Sequence, residues 1–153
     1  MVFKMFRSLG YSPTVSRYLT KLTTYKGRLP QGAPTSPLIA NLVFVKTGEK
    51  LNTLSKKQNL TFTSFIDDLT FSSPTDFKEI VPLIIEAIQE DGFRISHKKT
   101  NYKTKNPIVT GVVVKNNKLD LSTEFMSKHL LTEGKTEAQI KGLKQYVDRV
   151  QNY

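Results

Sequence analysis

The sequence predicts an α+β domain, an antiparallel sheet with helices on one face, and three observations carry that expectation. Its 153 residues with 38% hydrophobic content suffice for one domain with a real core and are too few for two. Short runs rich in aromatic, β-branched and hydroxyl residues end at turn candidates, the pattern of hairpin strands. Longer runs with apolar residues at three- and four-residue spacing lie around them, giving the order αα, ββαβββ, αα.

Ser12-Pro13 is a cap followed by proline at the first helical position, and Val15, Tyr18, Leu19 and Leu22 fall on one face of the helix it opens. A short basic loop, Tyr25 to Arg28, leads to LPQGAPTSP (29–37), unstructured by composition until Ser36-Pro37 repeats the cap signal. The helix starting there carries Leu38, Ile39, Leu42 and Val45 towards Lys57, with Gly48 as a candidate break. Strand, turn and strand occupy roughly 60–73. A helix from about Asp76 to Asp91 presents Phe77, Ile80, Val81, Ile84 and Ile88 to a core, with Pro82 disturbing its first turns.

Gly92 ends that helix. FRIS (93–96), IVTGVVVK (108–115) and LDLS (119–122) read as three strands, the last two joined by a turn at Asn116-Asn117. Two helices close the chain. Thr136 with Gln139 makes a capping box for the second, whose apolar face is Ile140, Leu143, Val147 and Val150. There is no internal repeat and no low-complexity linker.

Without cysteine the chain has neither disulfides nor thiolate metal ligands, which fits a reducing cytoplasm. Lys4 and Arg7 interrupt the apolar residues at the N-terminus, and no later stretch approaches a membrane span, so the expectation is a soluble cytoplasmic protein without membrane contact. The formal charge of +10 points to an acidic macromolecular partner. Residues 94–153 hold 12 Lys+Arg against 5 Asp+Glu, and residues 1–30 contain no acid at all.

Within FIDDLTFSS (65–73), two adjacent aspartates stand in strand-like surroundings where aspartate is depleted. A two-residue turn at Asp67-Asp68 places both carboxylates at a hairpin tip, where they repel in water. A divalent cation such as Mg²⁺, an oxygen-seeking ion, holds such a pair together. On the dipeptide alone a plain turn is the more ordinary reading, since aspartate is a common turn residue.

FIDDLTFSS resembles the metal-binding box of reverse transcriptases, an aromatic residue, any residue and two aspartates between two strands. LPQGAPTSPLIANL (29–42) resembles the next-earlier box of the same family almost residue for residue, at the family's spacing. Gly32 and Pro34 there let backbone approach a nucleotide closely, and Gln31 offers a two-sided amide. GFRISHKKT (92–100) resembles the box after the aspartates. Val109-Thr110-Gly111 is similar to the triplet of bacterial retron reverse transcriptases, and IKGLKQYVDRV (140–150) resembles the start of the family's thumb.

The resemblance implies nucleotidyl transfer templated by RNA: a primer 3′-hydroxyl attacks the α-phosphate of a deoxynucleoside triphosphate, and two Mg²⁺ ions stabilise the attacking and leaving oxygens. It makes Asp67 the direct metal ligand and Asp68 the partner carboxylate. Phe65, in place of the commoner tyrosine, falls beside the primer end, Gln31 and Gly32 beside nucleotide and template, and Lys98 or Lys99 towards the triphosphate. Val109, Thr110, Gly111, Lys141, Lys144 and Arg149 fall on the RNA side. Residues 1–122 become part of a palm and 123–153 the start of a thumb-like segment, with structured RNA template and primer as partners and antiviral defence as the retron setting.

The family's third aspartate, on a strand before the LPQG box, has no counterpart, since the first carboxylate of the chain is Glu49. The resemblance therefore covers about the C-terminal half of the catalytic region and implies a fragment inactive alone, with the missing N-terminal half as a further partner. The alternatives are an RNA-binding palm and thumb module without chemistry, a group II intron type fragment, and a metal-dependent nuclease that recruits Asp76 or Asp91 as a further ligand.

Overall fold

The computed structural model describes residues 1–152 apart from 130–133. It is α+β, with two compact units, Met1–His97 and Lys98–Tyr153. In the first unit α1 (Val2–Ser8), α2 (Pro13–Thr23) and α3 (Ser36–Lys57) precede a hairpin of β1 (Thr61–Phe65) and β2 (Asp68–Ser72). A 3₁₀ turn at Lys78–Ile80 and α4 (Val81–Glu90) follow.

The core of this unit is Leu51, Leu60, Ile84 and Ile88, with Phe44, Leu54, Phe62, Leu69, Phe71 and Phe77 packed against it. These residues place α3, α4 and one face of the hairpin around a single apolar centre. Gly48 does not break α3, which runs unbroken for 22 residues. Its missing side chain leaves room for Phe44, whose ring would lie 3.4 Å from a Cβ there. Pro82 falls in the first turn of α4, where an amide hydrogen is not needed, and the disturbed turns before it are the 3₁₀ segment.

The end of α4 is fixed by Gly92, with φ +82°, in the left-handed region glycine tolerates. The Gly92 amide donates to the Gln89 carbonyl and the Phe93 amide to the Ile88 carbonyl, the paired bonds of a Schellman cap. Phe93 and Ile95 turn back onto the core. FRIS is therefore not a strand: its two apolar residues close α4, and among the described residues no ladder partner faces them. Just before the cap, Asp91 accepts from the Thr47 hydroxyl at 2.6 Å and pairs with Lys50 at 3.1 Å, tying α4 to α3. Those two donors hold the Asp91 carboxyl below its ordinary range.

The buried side of α2 differs from the expected one. Val15, Tyr18 and Leu22 are exposed, and the helix turns Ser16, fully buried, together with half-buried Leu19, Thr20 and Thr23 towards its neighbours. Small hydroxyl residues permit close approach, and their polar groups are satisfied locally: Thr20 donates to the Ser16 carbonyl and Thr23 to the Leu19 carbonyl, each at 2.7 Å. Burying them thus costs little. The Ser12 cap forms as expected, its hydroxyl accepting from the Val15 amide.

In the second unit IVTGVVVK is two strands, β3 (Ile108–Val109) and β4 (Val112–Lys115), and β5 (Lys118–Leu121) pairs with β4 in the order β3-β4-β5. Thr110 and Gly111, at φ +46° and +88°, make the β3–β4 turn, the geometry of a type I′ hairpin. Asn116-Asn117 joins β4 to β5 as expected. Two helices follow, α5 (Thr123–His129) and α6 (Glu137–Gln151). The capping box of Thr136 and Gln139 is formed, and Ile140, Leu143, Val147 and Val150 are the residues α6 buries or half-buries. Residues 130–133 and 153 of the expected thumb-like segment lie outside the described residues. Among the described residues no helix is long and apolar enough to cross a membrane.

Candidate active site

The β1–β2 hairpin carries the two aspartates because its faces are chemically distinct. Phe62 pairs with Phe71 and Ser64 with Leu69, and on this face the phenylalanine rings stack at 4.9 Å against the core. The opposite face presents Thr63, Phe65, Asp68 and Thr70. Phe65 and Asp68 are the closing pair of the ladder and so are direct cross-strand neighbours.

The turn itself is Ile66-Asp67, one residue earlier than expected. Asp67 thus occupies the tip and Asp68 is already the first residue of β2, placed there by pairing with Phe65. Strand alternation puts Phe65 and Asp68 on one side, which the shift of register decides. Ile66 takes φ +54°, where a β-branched residue is rare. Such a conformation costs on the order of 1–3 kcal/mol, held here by a ladder anchored in the core. Ile66→Gly removes most of that strain and adds roughly 0.5–1 kcal/mol of backbone entropy cost. Thermal melts should show the variant about 1 kcal/mol more stable. A less stable variant would mean the Ile66 side chain outweighs its backbone strain.

Asp67 and Asp68 are exposed, and neither forms a salt bridge or side-chain hydrogen bond among the described residues. Two adjacent hard oxygen donors free of basic partners fit a divalent cation such as Mg²⁺. Among the described residues no third His, Cys, Asp or Glu groups with them. Asp91 is committed to Thr47 and Lys50, and Asp76 accepts from the Lys78 amide two residues on. Neither groups with Asp67 and Asp68 among the described residues, the closeness that the nuclease alternative requires.

The LPQG segment is a built loop. The Ala33 amide donates to the Pro30 carbonyl across Gln31 and Gly32, with Gly32 at φ +83°, the position in a type II turn that calls for glycine. The N-cap of α3 is Thr35, without a side-chain cap bond, so Ser36 is not the expected cap. Its hydroxyl donates instead to the Pro30 carbonyl at 2.7 Å, stapling the loop to the first turn of α3. Gln31 is exposed at the turn, and space beside Gly32 is open for 4 Å. The Ser36 staple and the strained Ile66 were missed in the sequence, although the hydroxyl at 36 was its only local signal.

Lys98 and Lys99 are exposed in a turn at the start of the second unit, and Val109, Thr110 and Gly111 supply a strand end and the β3–β4 turn. Lys141, Lys144 and Arg149 lie exposed on α6, Lys141 and Arg149 turned away from its buried residues and Lys144 bordering them one turn beyond Ile140.

A family model for reverse transcriptase (RNA-dependent DNA polymerase) matches residues 4–140, and the chain belongs to that family. Its similarity runs to the retron type. It is 36% identical over 128 residues to the retron Ec86 reverse transcriptase of Escherichia coli, a match covering 80% of this chain and 40% of that protein. The retron Mx65 reverse transcriptase of Myxococcus xanthus is 33% identical over 139 residues, with 76% and 32% covered. The retron Se72 reverse transcriptase of Salmonella heidelberg is 30% identical over 134 residues, with 80% and 35% covered. The chain thus spans no more than 40% of the length of these relatives.

Proposed function

We propose that this chain carries the metal-binding hairpin and the nucleotide-side loop of a retron-type RNA-directed DNA polymerase. The observation that carries the reading is the exposed pair Asp67 and Asp68, unneutralised in a chain of formal charge +10 and mounted on a hairpin anchored in the core. Asp67 serves as the direct ligand and Asp68 as the partner carboxylate for Mg²⁺, two ions in the complete site. When bound, the ions supply stabilisation of the attacking and leaving oxygens of nucleotidyl transfer.

Phe65, beside Asp68 on the open face, takes the position next to the primer end. Gln31 and the open backbone at Gly32 serve nucleotide and template, and Lys98 or Lys99 the triphosphate of the incoming deoxynucleotide. Residues 1–122 are then palm and 123–153 thumb-like, with Val109 to Gly111, Lys141, Lys144 and Arg149 on the side of the structured RNA. Chemistry requires the part of the catalytic region that this chain does not span, because no third carboxylate groups with the pair among the described residues.

The test is primer extension on an RNA template with Mg²⁺. The chain by itself should give no template-dependent product, and the chain supplied in trans with the rest of the catalytic region should extend the primer. Extension by the chain alone, or none by the complex, overturns the reading.

A further inference from the structure

We infer that the exposed face of α2, with the turn that follows it, binds single-stranded nucleic acid. The residues are Arg17, Tyr18, Lys21, Leu22, Tyr25 and Arg28. At 3.6 residues per turn the four on the helix lie within about 140° of one another, away from Ser16 and Thr23. They are left in solvent to an unusual degree: Tyr18 is 64% exposed, Leu22 82% and Tyr25 67%.

The turn continues this surface. Tyr25 and Arg28 exchange both backbone hydrogen bonds across Lys26-Gly27, which take φ +48° and +74°. The Lys26 ammonium sits 5.4 Å from the centre of the Tyr25 ring. Directly after Arg28 comes the loop of Gln31 and Gly32.

Cations alternate with aromatic faces here, with no acid between them in the sequence. The first 48 residues contain no Asp or Glu, and among the described residues none of these cations is in a salt bridge. A solvated helix face ordinarily mixes both signs, and the centre of a protein interface is depleted of lysine. Exposed aromatic rings beside unpaired cations match what unpaired bases and their phosphates require: ring faces for stacking and positive charge along the backbone. The surface lies in the first unit, whereas Lys141, Lys144 and Arg149 belong to the second. The inference does not depend on Asp67 or Asp68 binding metal.

The experiment measures binding of labelled oligouridine to the full chain at several salt concentrations. In one variant Arg17, Lys21 and Arg28 become Gln, and in another Tyr18 and Tyr25 become Leu. All five side chains are exposed, and thermal melts check that folding is kept. The charge variant should flatten the salt dependence by about two in log–log slope, three phosphates at roughly 0.7 each. The leucine variant should keep the slope and bind roughly tenfold more weakly, because stacking is lost and charge is not. Ultraviolet crosslinking of oligouridine to the unaltered chain should label the peptide spanning residues 13–28, a readout that no variant's folding affects. Unchanged slope and affinity in the charge variant overturn the inference. So does full affinity in the leucine variant, which is the behaviour of a protein-docking face, or binding to anionic vesicles without binding to oligouridine.

Discussion

Asp67→Asn should reduce primer extension by the complemented enzyme by roughly three orders of magnitude. The substitution keeps the size of the side chain and its place at the hairpin tip while removing the charge through which Asp67 is proposed to hold a hard cation. A metal-bound transition state depends on several kcal/mol of charge stabilisation, and each 1.4 kcal/mol is tenfold in rate. The tip position is solvent-exposed with no side-chain partner among the described residues, so the fold should be indifferent to the change. Rates are compared by single-nucleotide incorporation at saturating Mg²⁺, with thermal melts as the control. Retained activity would mean that Asp67 is a turn residue only.

The comparison of Asp67 with Asp68 follows from register. Asp68 is held by the ladder opposite Phe65, whereas Asp67 is held by a turn whose first residue is strained. A carboxylate in a strand keeps its direction through pairing. One in a two-residue turn depends on the turn's own geometry, which is why the strain at Ile66 belongs to the site and not to the scaffold.

Much of this was legible in the residues. The hairpin around the aspartates, the cap at Ser12, the capping box of α6 and the glycine stop at Gly92 are all set by local chemistry, and local chemistry is what a sequence displays. Register was not legible to one residue, because both Ile66-Asp67 and Asp67-Asp68 leave alternating flanks; what selects the former is the stacking of Phe62 on Phe71 in the core. The buried side of α2 misled for another reason. Periodicity credits large apolar residues with burial, but close packing there selects serine and threonine whose hydroxyls bond their own helix. FRIS has strand composition and lacks a ladder partner, since pairing is a tertiary fact. The first helix, Val2–Ser8, has no side-chain cap to announce it.

Leu51→Ala should destabilise the first unit by about 2–5 kcal/mol, a large share of the roughly 5–15 kcal/mol typical of a domain. Leu51 is fully buried and meets Leu60, Ile84 and Ile88, so one side chain joins α3, the entry to β1 and α4. Truncation leaves a cavity that three separate elements border, and none can close it without moving the others. Leu22→Ala, by contrast, removes a side chain already in solvent and should change stability by less than about 0.5 kcal/mol. Urea denaturation of both variants decides the matter, with the midpoint shifting for Leu51→Ala and the slope unchanged. The loss should reach function as well, because the core face of the aspartate hairpin rests on the same cluster through Phe62, Leu69 and Phe71. A loss below about 1 kcal/mol for Leu51→Ala would show that this cluster collapses readily. The hairpin would then take its position from its own ladder and not from α3.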